Sequence, residues 1–130
     1  MRRFVTAALA ALAVASPAPA VGMAEGGGGD REIRRSGRCS DASDWKLKLK
    51  LDDGRIEAEF EVDQNRVGRR WSVVLRDNGR IVFRGMRTTR AASGSFELER
   101  RIAKGSGVDR IVATSRNVRG GERCRGTARI

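Results

Sequence analysis

The sequence predicts an all-β fold: a seven-stranded antiparallel sandwich of the immunoglobulin or fibronectin type with one disulfide, or alternatively a small β-barrel. Apolar and polar residues alternate with a period of two along most of the chain after residue 44, which is typical of half-buried strands. Turn signals separate these stretches at intervals of about 8–12 residues, the spacing of small sandwiches. Two cysteines, Cys39 and Cys124, bracket the alternating region, and no stretch within it has a helical period.

Residues 1–24 have the order of a secretory signal peptide. Arg2 and Arg3 precede an apolar run over residues 4–15, and small residues with two prolines follow. Cleavage is expected after Ala24, with Ala20 as the alternative. The apolar run is shorter than the roughly 20 residues that a bilayer-spanning helix needs. The sequence therefore predicts a secreted protein with no membrane span.

Residues 25–38 are rich in glycine and then in charge, so they are predicted to be a flexible tether ahead of a sandwich domain over residues 39–130. In an exported protein an even pair of cysteines predicts a disulfide, here between Cys39 and Cys124. The rival interpretation, a metal site, lacks ligands because the chain contains no histidine. No metal and no cofactor are expected.

Seven strands are predicted, at residues 45–51, 55–62, 70–76, 80–86, 95–102, 108–116 and 122–130. The first, second and fifth are assigned to one sheet, and the other four to a second sheet. Trp71 then lies on the third strand, where immunoglobulin-like folds commonly bury a tryptophan. Asp109 lies near the position of the corner residue of such folds, although the usual tyrosine is missing.

The first hairpin has the strictest alternation in the chain. Asp53-Gly54 is a preferred pair for a two-residue type I′ turn, which places Leu49 opposite Ala58 on an apolar face. A slip of one residue would bring apolar side chains opposite charged ones. The other face is expected to hold three cross-strand ion pairs, Lys46 with Glu61, Lys48 with Glu59 and Lys50 with Glu57. We therefore interpret these charges as neutralising one another, not as an active site.

The second hairpin turns around Asn78-Gly79. A two-residue turn would set Val73 opposite Arg84. A three-residue turn over residues 77–79, with Gly79 left-handed, sets Val73 opposite Phe83 and Leu75 opposite Ile81. The three-residue turn is predicted because it keeps one face of the hairpin apolar.

The run "CSDASDWKLKLKLDDGRIEAEFEVDQNRVGRRWSVVLRDNG", together with "SGSFELERRI", "GVDRI" and "GERCRGTARI", resembles a group of small secreted actinobacterial proteins. The similarity covers residues 39–130 and rests on "EFEVDQNR", "SGSFE" and the late cysteine. The group is uncharacterised, so the resemblance implies export and an immunoglobulin-like β-sandwich but assigns no catalytic residue.

Several enzyme classes are excluded by the residue inventory. Without histidine there is no Ser-His-Asp or Cys-His nucleophile, and no P-loop, dinucleotide or GxSxG motif is present. A carboxylate pair for glycoside hydrolysis is the remaining alternative. Its candidates are Glu57, Glu59, Glu61, Asp41, Asp44 and Asp63. We expect no enzyme, and we interpret the polar loop Asp63-Gln64-Asn65-Arg66 as bonding its own backbone, with a ligand-contacting loop as the alternative.

The charge of the chain is strongly basic and unevenly placed. Without Arg2 and Arg3, 25 basic residues face 16 acidic ones, and residues 66–90 alone hold eight arginines and one aspartate. Strand alternation is expected to gather the late arginines on the outer face of the second sheet. The predicted polyanion-binding residues are Arg76, Arg80, Arg84, Arg110, Arg116, Arg123, Arg125 and Arg129.

Guanidinium groups bind phosphate, sulfate and carboxylate with paired donors, so such a face is suited to anionic cell-envelope polymers or lipid headgroups. Nucleic acid is expected to bind only non-specifically, because the face has no aromatic side chain for stacking. The alternative function is a secreted protein-binding or inhibitor module that uses the link over residues 86–95. The competing explanation is that arginine is simply abundant on a soluble surface.

Overall fold

The computed structural model describes residues 31–130, which form eight antiparallel β-strands and no helix. The predicted signal peptide and the glycine-rich part of the tether lie outside these residues. The strands are β1 (Glu32–Arg38), β2 (Asp44–Asp52), β3 (Arg55–Asp63), β4 (Arg70–Asp77), β5 (Arg80–Thr88), β6 (Ser95–Ala103), β7 (Arg110–Asn117) and β8 (Arg123–Arg129). Nothing in this part of the chain has both the helical length and the hydropathy needed to cross a bilayer.

The strands form two four-stranded sheets with the orders β1-β2-β3-β6 and β5-β4-β7-β8. The two sheets are separate and do not close into a barrel, so the barrel alternative is wrong. All seven predicted strands are present, and each lies in the sheet to which it was assigned. An all-β, two-sheet fold with one disulfide is therefore confirmed.

The eighth strand corrects the predicted tether. β1 lies in the segment expected to be flexible, and it pairs with β2 over its whole length, from Glu32 opposite Lys50 to Arg38 opposite Asp44. This strand has no recognisable alternation in the sequence, because Ile33 is the only large apolar residue on the inner side of β1. β1 is held by the backbone ladder and by packing of Ile33 against the core.

The first hairpin has the predicted register, with Leu49 opposite Ala58 and Lys48 opposite Glu59. Asp53 and Gly54 both have positive φ, 50° and 70°, as a type I′ turn requires. The expected charge pairing is only partly formed. Lys48 Nζ lies 2.7 Å from Glu59 Oε2, whereas Glu57 pairs with Arg101 on β6 at 3.4 Å.

The second hairpin differs from the prediction. Asp77 pairs with Arg80, so the turn has two residues, and Asn78 and Gly79 have φ of 49° and 87°. A register shift between Leu75 and Arg76 then absorbs one residue of β5 as a bulge. The bulge places Leu75 opposite Phe83 and Val73 opposite Gly85, so the predicted pairings of Leu75 with Ile81 and of Val73 with Phe83 are wrong.

The core lies between the sheets and is centred on aromatic rings. Trp71 is fully buried, and its ring centroid lies 6.0 Å from that of Phe96, which meets Phe60 edge-on at 6.4 Å. The indole Nε1 of Trp71 donates to Gln64 Oε1 at 3.0 Å, so the buried donor is satisfied. The predicted burial of this tryptophan is confirmed.

One open side of the sandwich is closed by the Cys39–Cys124 disulfide, which joins the chain just after β1 to β8 across a Cα–Cα distance of 4.3 Å. Beside it the indole of Trp45 packs on two glycines, Gly37 and Gly126. A Cβ on either would come within 2.8 Å or 2.7 Å of the Trp45 ring. On the other open side the Phe83 ring is covered by the guanidinium groups of Arg87 and Arg100, at 5.1 Å and 5.7 Å.

Candidate functional site: an arginine face

The outer face of the β5-β4-β7-β8 sheet is rich in arginine. On β4, Trp71, Val73 and Leu75 are buried in the core, so the residues between them point outward. The same alternation on β7 and β8 turns Arg110, Arg116, Arg123, Arg125 and Arg129 outward, all exposed. We call this surface the arginine face: Arg70, Arg76, Arg84, Arg110, Arg116, Arg123, Arg125 and Arg129.

Two pairs of arginines on this face are direct cross-strand neighbours. Arg110 lies opposite Arg129, and Arg116 lies opposite Arg123. Asp109 and Ile130, one step beyond the first pair, exchange both backbone hydrogen bonds, at 2.9 and 3.0 Å. Because bonded and non-bonded pairs alternate in an antiparallel ladder, both arginine pairs occupy non-hydrogen-bonded positions, where side chains come closest.

The arginine face has no carboxylate partner within the described residues. The ion pairs that close within 4.0 Å there use other cations: Arg34, Lys48, Arg101 and Lys104. The nearest acids at the strand ends are engaged elsewhere. Glu122 accepts bonds from Ser43 N at 2.8 Å and Ser43 Oγ at 2.6 Å, and Asp109 pairs with Lys104 Nζ at 2.7 Å.

A shallow groove of 350 Å³ crosses the face between β4, β7 and β8. Arg116, Arg123 and Arg125 line it together with the hydroxyl residues Ser72 and Thr114. Each of these hydroxyls makes only a long bond of 3.5 Å to a backbone carbonyl, so each can still turn towards a ligand. Guanidinium and hydroxyl donors around one groove match the oxygens of a phosphate or sulfate group.

Seven of the eight predicted arginines lie on this face, and Arg80 does not. The bulge in β5 shifts the alternation, so Arg80 pairs with Asp77 at the end of the sandwich and lines a separate cavity of 360 Å³ with Lys104 and Asp109. The same shift turns Ile81 outward, 43% exposed, and packs Val82 against the core. Arg70 was missed by the prediction, although the alternation of β4 extended by one step places it beside Ser72.

The cavity beside Arg80 contains a pair of buried acids. Asp109 is 2% exposed and Asp77 is 7% exposed, and Asp77 Oδ1 has no hydrogen-bond partner among the described residues. Burial and the neighbouring carboxyl group of Asp109 raise the pKa of Asp77. Burial alone would raise the pKa of Asp109 too, but Lys104, the Gly105 N–H and Asp77 together lower it. Asp77 is thus the member of the pair that binds a proton more readily.

The polar loop after β3 is structural, as interpreted from its sequence. Asp63 Oδ1 accepts a bond from Asn65 N at 2.9 Å, and Gln64 Oε1 accepts bonds from Trp71 Nε1 at 3.0 Å and Asn117 Nδ2 at 3.4 Å. These contacts anchor the loop on the core and leave Gln64 with no free carbonyl oxygen for a ligand.

The link over residues 86–95, the alternative binding segment, is less open than expected. Its first three residues belong to β5, and Thr89 and Gly94 are buried. Thr89 Oγ1 donates to Arg66 O at 2.5 Å and accepts from Arg69 N at 2.9 Å, which ties the link to the loop after β3. Outside the strands, the exposed part of this link consists of the four consecutive residues 90–93.

Five of the six carboxylates proposed as an alternative active site lie on β2 and β3 of the other sheet, and Asp41 lies in the turn between β1 and β2. Glu59 is paired with Lys48, but it also lies in a group with Glu97 and Glu99 whose carboxylate oxygens are within 4.8 Å of one another.

No known protein-family model, curated protein or solved structure matches this chain. Its function is therefore inferred from the geometry of its own residues.

Proposed function

We propose that this is a secreted, non-enzymatic binding protein whose arginine face binds anionic polymers of the cell envelope. Two directly opposed arginine pairs, Arg110–Arg129 and Arg116–Arg123, carry the proposal. Within residues 31–130 no carboxylate lies within ion-pairing distance of either pair. Like charges directly opposite each other destabilise a sheet. A bound oxyanion between the guanidinium groups converts that repulsion into two charge-assisted contacts.

The dimensions of the face favour a polymer or a charged surface over a single small anion. The two arginine pairs are six residues apart along β7, about 20 Å at the usual rise of a strand. Across the sheet, Arg84 and Arg125 end one row that passes through Val74 and Thr114. That row spans three strand spacings, about 14 Å. Phosphate-rich wall polymers and anionic lipid headgroups both supply charges over such distances.

Other features support the proposal without deciding the ligand. The disulfide suits an exported protein, and the strand orders of the two sheets support an immunoglobulin-like sandwich, as does the resemblance to small secreted actinobacterial proteins. The described outward residues of the face include no aromatic ring. Nucleic acid is therefore expected to bind through its phosphates only, without base stacking. Protein binding through residues 90–93 ranks second because that exposed segment is short.

The test is a binding titration of the purified protein with teichoic acid, heparin and duplex DNA over a series of salt concentrations. We expect affinity to fall steeply as salt rises, because each phosphate contact releases counterions. Arg116→Ser/Arg123→Ser should weaken binding by at least about tenfold at low salt. The matched control is Arg38→Ser/Arg90→Ser, which removes the same charge from exposed residues away from the face. Equal losses for both double variants would mean that net charge, not the face, governs binding.

A further inference from the structure

The outer face of the β1-β2-β3-β6 sheet is divided by charge into two halves, and we call it the split face. Its more basic half, on β1 and β2, holds Arg34, Lys46, Lys48 and Lys50 together with the acids Glu32, Asp44 and Asp52. Its more acidic half, on β3 and β6, holds Glu57, Glu59, Glu61, Glu97 and Glu99 together with Arg55 and Arg101. The boundary runs between β2 and β3, which is the middle of the sheet.

Two neighbouring rows across the split face have the same polarity. From β1 to β6, one row reads Arg34, Lys48, Glu59, Glu99, and the next reads Ser36, Lys46, Glu61, Glu97. In both rows positive charge lies on the β1–β2 side and negative charge on the β3–β6 side. The row on the other side of the first reads Glu32, Lys50, Glu57, Arg101 and alternates in sign.

Contacts within one molecule leave much of this charge unmatched. Lys48 is paired with Glu59, Arg34 with Glu32 and Arg101 with Glu57. Among residues 31–130, however, no cation lies within ion-pairing distance of Glu61, Glu97 or Glu99, and no acid lies within ion-pairing distance of Lys46. The glutamates are also crowded. Burial, a hydrogen bond with Glu99 and the charges of nearby glutamates raise the pKa of Glu97. A cation from outside the molecule would therefore be attracted to the acidic half.

A second copy of the chain supplies that cation in matching positions. A twofold axis parallel to the strands, above the β2–β3 boundary, lays β6 of one molecule over β1 of the other, and β3 over β2. Each row then meets itself reversed, so that Arg34 faces Glu99 of the second copy and Lys46 faces its Glu61. Self-complementarity of one patch under a twofold axis is what a closed homodimer requires.

We propose that two copies of this protein associate through their split faces as a twofold-symmetric dimer. A groove of 380 Å³ on this face, lined by Arg34, Lys46, Glu61 and Glu97 among others, gives room for side chains of the second copy. The dimer presents its two arginine faces on opposite outer surfaces. It does not depend on the proposed polymer binding, since the two faces belong to different sheets.

The experiment is sedimentation of the purified protein over a range of concentrations at low salt, with variants that reverse one charge. Glu99→Arg and Arg34→Glu should each raise the dimer dissociation constant by at least about tenfold, because each places like charges in contact. Mixing the two variants in equal amounts should restore a dimer, since the mixed pair regains both opposite-charge contacts. Arg125→Glu makes the same reversal on the arginine face and should leave the dissociation constant unchanged.

Each of the following results would support or overturn the dimer. A protein that stays monomeric at every concentration at low salt overturns the dimer, as does dimerisation that is unaffected by either reversal or is not restored by mixing. Dimerisation abolished by a chelator would assign the crowded glutamates to a bound divalent cation and would also overturn it. Arg116→Ser/Arg123→Ser should still dimerise while losing polymer binding, so failure of either proposal is recognised separately.

Discussion

Arg116 on β7 and Arg123 on β8 are direct cross-strand neighbours at a non-hydrogen-bonded position, and in the described part of the chain neither guanidinium has a carboxylate within ion-pairing distance. Repulsion between them is therefore relieved by solvent and by anions alone. Cross-strand pairs contribute roughly 0.2–1 kcal/mol to a sheet, and like charges reverse the sign. The pair is thus a local cost to folding that an anionic ligand would remove.

The first prediction follows from that repulsion. Arg116→Thr should raise the free energy of unfolding by about 0.5 kcal/mol in dilute buffer, because threonine suits a strand and carries no charge. Sulfate or phosphate should stabilise the parent protein more than the variant. The measurement is thermal unfolding in sulfate and in chloride at equal ionic strength. If both salts act equally on both proteins, only general screening is present.

The second prediction concerns the raised pKa of Asp77 beside Asp109. Since the pKa of Asp77 is raised from 3.8 in the folded protein, the folded protein binds a proton at Asp77 more tightly than the unfolded chain does. Its contribution is therefore favourable at low pH and is lost as pH rises through the folded pKa. Asp77→Asn keeps a hydrogen-bond donor towards Asp109 at every pH. We expect this variant to be more stable by about 1 kcal/mol at neutral pH, with the gain vanishing near pH 3.

Asp109 has the opposite linkage and provides the control. Its pKa is lowered, so its contribution is present above the unfolded value of 3.8 and is lost as pH falls through the folded pKa. Asp109→Asn should destabilise the protein by about 1–3 kcal/mol at neutral pH, since the ammonium of Lys104 loses its buried partner. Denaturant unfolding at several pH values measures both variants. Destabilisation by Asp77→Asn at neutral pH would contradict the raised pKa of Asp77.

The third prediction concerns the disulfide, which links residues 85 positions apart. Cys39→Ser/Cys124→Ser should lower the free energy of unfolding by about 4–5 kcal/mol in the chain-entropy description of a loop this long. The loss of protection should concentrate in β1 and in residues 40–43. The disulfide is attached at Cys39, directly after β1, and Glu122 accepts hydrogen bonds from the backbone N–H groups of Asp41 and Ser43 in the turn that follows. Amide hydrogen exchange of the oxidised and variant proteins checks this. Uniform loss of protection in β1 and β4 alike would show that β1 is not a separate weak element.

The sequence predicted those parts of the fold where two local signals agree. Strict alternation and Asp53-Gly54 both specify one register, and the first hairpin has it. The turn of the second hairpin was predicted wrongly because a three-residue turn and a two-residue turn with a bulge both place Leu75 and Phe83 on the inner face. The bulge, which the dipeptide does not encode, moved Arg80 off the arginine face. Alternation alone located the other seven arginines, because β4, β7 and β8 are regular.

The sequence did not predict β1, and it predicted the charge pairing of the first hairpin only in part. β1 lacks an apolar period because it is an edge strand that contributes mainly Ile33 to the core. The neighbour of β3 on its other side is β6, which carries Arg101 opposite Glu57 and Glu99 opposite Glu59. Which cation pairs with which glutamate thus depends on a strand that is distant in sequence. Local sequence reasoning supplies the faces of a sheet but not the contacts between strands that are not consecutive.

The last prediction concerns the packing of Trp45 on Gly126. An added Cβ at Gly126 would lie 2.7 Å from Cζ3 of the indole, which is too rigid to yield and is confined on its other side by Gly37. Gly126→Ala should therefore destabilise the protein by about 1–3 kcal/mol, the usual cost of overpacking. Gly107→Ala is the matched control, since a Cβ there meets nothing within 4 Å and its backbone is not left-handed, so it should be neutral or slightly stabilising.

Trp45→Leu separates this clash from a general intolerance of alanine in β8. The smaller side chain leaves room for the added methyl group, so the loss caused by Gly126→Ala should shrink in the Trp45→Leu background. Because the two residues touch, their effects should be non-additive by at least about 0.5 kcal/mol. Denaturant unfolding of the four proteins of this cycle gives the coupling. Additive losses would mean that Gly126 is needed for its backbone alone, and that the indole does not fix the distance between β1, β2 and β8.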